Sequence, residues 1–151
     1  MEADICTIED NSQGSCRGVH FIKLPSVKHA NALSEFERMP EKAQWYFKTS
    51  FDYWISGLTQ KKRFHGFDGQ YKKGRYKDCF VFKNIAEKSR LYGFLSRPKS
   101  GGESELCILV LFCQKKEDKT DETMLDRVNE IRLRPDVVEA IKVFRTKPKG
   151  L

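Results

Sequence analysis

The sequence predicts an α+β domain: a small antiparallel sheet of about four strands, with an N-terminal helical pair packed on one face and a C-terminal helix. Three observations predict it. Residues 106–113, LCILVLFC, form an apolar run of strand length, which suits a central strand buried on both faces. Ala43, Phe47, Phe51, Trp54, Ile55 and Leu58 recur at spacings dominated by three and four, which gathers them on one side of a helix. The strand-like runs in the second half are joined by short polar connections, whereas a parallel crossover needs a dozen or more residues.

Taken in order, residues 1–17 show no periodicity and read as a flexible tail. Residues 18–26, GVHFIKLPS, are rich in branched and aromatic side chains and read as a first strand. A short helix follows over 30–39. Pro40 then opens a second helix over 40–58, since its missing N–H is an orphan at a helix start in any case. DCFVFKN at 78–84 reads as the second strand, and IAEKS is the polar break after it. SRLYGFLSRP at 89–98 carries the third strand, the polar turn 99–105 comes next, and 106–113 is the fourth. A third helix starts near Asp121. Arg134 precedes Pro135 and is biased out of the helix, so DVVEAIKVF forms a separate last turn or helix. A single domain therefore spans 18–144, followed by a loose basic tail at 145–151.

Composition narrows the class. At 151 residues the chain fits one domain that buries roughly 70% of its unfolded surface, so stability requires neither disulfides nor metals. No apolar stretch approaches the ~20 residues of a membrane helix, and the acidic, polar start MEADICTIEDNSQGSC has the wrong chemistry for a secretory signal. The five cysteines form no CxxC pair, which points to a reduced, cytoplasmic setting. His20, His29 and His65 are too dispersed for a zinc site, and no cofactor is implied.

The net charge is +7, and it is concentrated. Residues 59–77, TQKKRFHGFDGQYKKGRYK, hold Lys61, Lys62, Arg63, Lys72, Lys73, Arg75 and Lys77 against Asp68 alone. A cluster of this kind is an electrostatic footprint for polyphosphate. Phe67, Tyr71 and Tyr76 interleave with the cations, a pattern suited to stacking on the bases of RNA. His65 lies in the same stretch and titrates near physiological pH, which makes it a candidate acid or base.

Four motifs carry a family resemblance. FHGF at 64–67 stands where a Leu-x-Gly turn precedes a strand. CFVFK at 79–83 matches a strand written leucine, aromatic, Glu, Leu, Arg. SRLYGF matches a strand that opens on Arg, and LVLFCQKKEDKT at 109–120 matches one that ends Phe-Val-Lys-Lys-Thr before a helix. Over residues 18–134 the chain thereby resembles the RelE/ParE toxin superfamily, in its HigB-like, phage-derived branch. Two positions depart from the pattern: Val81 replaces the acid, and Val110 replaces a His often found there. The resemblance implies a RelE-like fold and a type II toxin–antitoxin toxin that cuts messenger RNA on the ribosome. Attack of a ribose 2′-hydroxyl on the adjacent phosphate needs no metal.

By position, Arg90 matches the Arg opening the third strand and would grip the phosphate with its planar fork. Lys83 would stabilise charge or act as base, and Lys115 would clamp the backbone beside Lys116. Arg97 falls at the other end of its strand and does not serve the same phosphate. Lys61, Lys62, Arg63, Tyr71, Lys72, Lys73, Arg75 and Lys116 are the expected RNA contacts. The implied partners are mRNA, the ribosome and a cognate antitoxin, a small helix-turn-helix protein. Two alternatives stay open: a ParE-type toxin that inhibits a topoisomerase without catalysis, and a basic RNA-binding module.

Overall fold

A computed structural model describes residues 3–7, 17–67, 69–97, 104–114 and 122–146. The strands are β1 (Asp4–Cys6), β2 (Arg17–Lys23), β3 (Phe64–Gly66), β4 (Cys79–Asn84), β5 (Ser89–Ser96) and β6 (Glu105–Gln114). The helices are α1 (Ala32–Arg38), α2 (Glu41–Ile55), α3 (Glu122–Arg132) and α4 (Pro135–Thr146), with a 3₁₀ turn at Tyr71–Gly74.

The class agrees with the sequence, but the expected four-stranded antiparallel sheet is replaced by a six-stranded mixed one. Its order is β1-β2-β6-β5-β4-β3, and β2 runs parallel to β6. Two strands go beyond what the sequence pattern predicts. β1 lies within the segment expected to be a flexible tail, where Asp4–Cys6 pairs with β2 and Ile5 is buried. β3 adds an edge beside β4, inside the basic stretch. The parallel pair obeys the rule about long crossovers, because the whole of 24–104 separates its strands. β6 is central, with Leu106 to Leu111 all buried.

Alternation along the strands divides the core in two. On one face α1 and α2 bury Phe36, Phe47, Phe51 and Trp54 against Phe21, Phe80, Phe82, Leu91 and Leu109. On the other, α3 and α4 bury Leu125, Val128, Ile131 and Val137 against Val81, Tyr92, Phe94, Ile108 and Val110. The expected helical pair is therefore present, and two C-terminal helices cover the opposite face. α4 also extends into the expected tail: the Arg145 guanidinium donates to the carbonyls of Ser96 and Ser104, tying it to the ends of β5 and β6.

α2 ends at Ile55, short of the expected 58. Gly57 takes φ +84, its N–H donates to the Trp54 carbonyl, and the Leu58 N–H donates to Tyr53, a paired closure that favours glycine. Leu58 is consequently past the helix and exposed, although its spacing placed it on the apolar stripe. Phe51, by contrast, sits in the stripe's centre, with ring centroids 4.8 Å from Phe82 and 6.1 Å from Phe36. Phe51→Ala is expected to cost about 3–5 kcal/mol of unfolding free energy in a urea titration. A loss below about 1 kcal/mol would mean that α2 does not pack as described.

Candidate nucleic-acid interface

The β4–β5 hairpin brings the candidate catalytic cations together. Its turn, residues 85–88, is closed by a Lys88 N–H to Ile85 bond and by the Asn84 side chain accepting from the Glu87 N–H. The resulting register sets Lys83 opposite Arg90, and Arg90 opposite Cys113 of β6. Lys83 shares its face with Cys79 and Val81, and Arg90 shares its face with Tyr92 and Phe94, all on the α3–α4 side. Directly paired side chains of this kind start about 5 Å apart. On β3, His65 pairs with Val81 and so occupies the same face, a diagonal step from Lys83 of about 7–8 Å. Three of the four candidate catalytic residues thus share one corner of the sheet. Lys115 and Lys116 lie outside the described residues.

The environments differ from those expected. Lys83 and Arg90 are only 8% and 7% exposed, and each has interactions within the fold. Arg90, near the start of β5, is therefore buried rather than solvated. Like charges facing each other across a sheet are unfavourable by themselves, and both residues have further interactions within the fold. His65 is half-buried; its Nδ1 lies 2.8 Å from the Gly66 carbonyl and its ring packs edge-on to Phe67. Val81 and Val110 are fully buried under the helices, where an acid or a histidine would carry a desolvation cost.

The basic stretch separates into exposed and engaged cations. Lys61, Lys62, Lys73 and Lys77 are exposed. Arg63 turns toward α2, where its guanidinium donates to the Ser50 hydroxyl and the Tyr46 carbonyl and stacks 4.0 Å from the Tyr46 ring. That is a structural role for a residue expected among the RNA contacts. Lys72 pairs with Glu122 at 2.9 Å and Arg75 with Asp126 at 3.0 Å, both acids on α3. The hydrogen bond to Glu122 also holds the Lys72 ammonium above its ordinary pKa.

Of the aromatics, Tyr76 is fully buried and donates to Asp126, and burial pushes its phenol up to about 12. It therefore offers no stacking face. Phe67 and Tyr71 are half-buried, packed against the core with ring centroids 6.0 Å apart, so each keeps an edge toward solvent. Sequence reasoning missed the acids Glu122 and Asp126. Their four-residue spacing in DETMLD was the available signal.

Among the described residues Cys6, Cys79, Cys107 and Cys113 form no disulfide, and no group of three or more His, Cys, Asp or Glu could hold a metal. Burial raises the Cys79 thiol to about 12 and raises Cys107 further, so neither is a thiolate near neutrality. No helix among these residues is long and apolar enough to cross a membrane. No family model, curated protein or solved structure matches the chain.

Proposed function

We propose that the protein binds single-stranded RNA, with mRNA on the ribosome as the target, and cuts it without a metal. In this reading it is a toxin held in check by an antitoxin. The observation that supports this reading best is the clustering of His65, Lys83 and Arg90 on one face of three adjacent strands. His65, as neutral imidazole, takes the 2′-hydroxyl proton while the 2′-oxygen attacks the adjacent phosphorus. Arg90 holds the non-bridging oxygens of the phosphorane, whose charge Lys83 also offsets. The bond from phosphorus to the 5′-oxygen then breaks, with the Lys83 ammonium supplying the leaving oxygen's proton. A 2′,3′-cyclic phosphate and a 5′-hydroxyl result.

The test is incubation of ribosome-bound and free RNA with purified protein in the presence of a chelator, with both new ends analysed. Cyclic phosphate ends that form despite the chelator support the reading, and intact RNA sinks the catalytic part. A second reading is favoured by the near-complete burial of Lys83 and Arg90: a basic module that binds RNA without cutting it. Retained binding with RNA of unchanged length identifies that case.

Lys61, Lys62, Lys73 and Lys77 are the exposed cations of the basic stretch that lie outside the two ion pairs to α3. Replacing all four with Ala is expected to weaken RNA binding and to flatten log K against log salt by roughly 0.7 for each phosphate that is no longer neutralised. An unchanged slope would move the binding face elsewhere.

A further inference from the structure

The loop that carries Lys72 and Arg75 is strained, and α3 holds it down. Lys72, Lys73 and Gly74 have φ of 50, 58 and 79, three consecutive residues in the left-handed region. Two of them are lysines, for which that region is unfavourable. A Cβ on Gly74 would meet the Gly69 carbonyl oxygen at 2.9 Å, so the turn is also tight. Downstream the loop is anchored by the buried Tyr76, whose hydroxyl donates to Asp126, and by Asn129, whose amide donates to the Arg75 carbonyl. Two of its cations, Lys72 and Arg75, end on Glu122 and Asp126, one helical turn apart. These pairs are water-accessible: the side chains of Lys72 and Glu122 are 51% and 46% exposed, and those of Arg75 and Asp126 are 62% and 40% exposed. Exposed pairs hold weakly and exchange readily.

We propose that Glu122 and Asp126 occupy the places of two RNA phosphates, so that α3 latches the basic loop until RNA exchanges carboxylate for phosphate on Lys72 and Arg75. The inference rests on the RNA-binding reading above and adds a built-in competitor to it. Carboxylates four residues apart on a helix are neighbours about 5–6 Å apart at their Cβ atoms, a step comparable to that between successive phosphates of a single strand. The latch lowers affinity for RNA in two ways: it engages two cations, and it sets two negative charges beside the path of the strand. Release lets the loop relax out of the left-handed turn, with the Tyr76 anchor as its fixed end.

The test uses the full chain and a labelled poly(U) strand. Glu122→Gln is expected to tighten binding about 3–10-fold and to steepen the salt slope by roughly 0.7 as Lys72 gains a phosphate. Amides 71–75 should exchange hydrogen faster in this variant without RNA. Adding Lys72→Ala should erase the gain. Glu130→Gln removes one exposed acid of α3 outside these pairs and reports the effect of net charge alone. An equal gain from Glu130→Gln overturns the latch, as does unchanged loop exchange in Glu122→Gln. If Lys61→Ala with Lys62→Ala weakens binding while Glu122→Gln alters neither affinity nor slope, the latch fails and the RNA reading stands. Absence of poly(U) binding by every form overturns both.

Discussion

His65→Ala is expected to slow RNA cleavage by about 100–10,000-fold, the usual contribution of a positioned acid–base group. It should change unfolding free energy by less than about 1 kcal/mol, because His65 is only half-buried and lies on the short edge strand β3. Rate and stability are measured on the same preparation, so lost activity is not mistaken for lost fold. Arg90 needs a different substitution, since at 7% exposure Arg90→Ala would empty a buried site and unsettle the hairpin. Arg90→Lys keeps the charge and most of the volume but loses the paired donors. It is expected to cut the rate by about 100–1,000-fold while the chain stays folded. A fully active His65→Ala would remove the acid–base assignment, and a fully active Arg90→Lys would remove the phosphate grip.

The largest effect on the fold is expected at Gly93. Between Tyr92 and Gly93 the β5–β6 register shifts: Tyr92 faces Leu111, whereas Gly93 faces Leu109, so β6 carries an extra residue. A Cβ on Gly93 would lie 2.2 Å from the Ile108 carbonyl oxygen and 2.9 Å from both the Ile108 carbonyl carbon and the Leu109 Cα. All three are backbone atoms of the central strand, so no rotamer change relieves the clash. Gly93→Ala is expected to cost more than about 4 kcal/mol, a large share of a domain's ~5–15 kcal/mol. Circular dichroism during a urea titration checks this. A loss below about 1 kcal/mol would contradict the bulge.

The sequence made some of these features legible, and the reasons are specific. α2, β5 and β6 stand out because each is long enough for an apolar pattern to repeat. β1 and β3 are three residues each, too short for alternation to show. The pairing of β2 with β6 is non-local and leaves no trace in either segment. At the site, the residue types and the strand ends were legible, and the hairpin register then gathered Lys83, Arg90 and His65. Their burial was not, because a charged residue at a strand end ordinarily reads as solvated. Arg63 looked like one more surface cation; only the approach of α2 makes it a clamp on Tyr46 and Ser50.

The parallel pairing of β2 with β6 has a consequence in time. Its partners, such as Arg17 and Glu105, are roughly ninety positions apart in the chain, and so distant a contact forms slowly. During synthesis at about 5–20 residues per second, β2 emerges about 4–18 s before the strand that must lie beside it. Throughout that interval Phe21 and Ile22 lack their central neighbour, and α1 and α2 have only part of a sheet to cover. The nascent chain therefore presents an aromatic edge that lacks this pairing until residues 105–114 have left the ribosome. Slowing translation before residue 105 should lengthen that exposure, and protease sensitivity of stalled chains would record it.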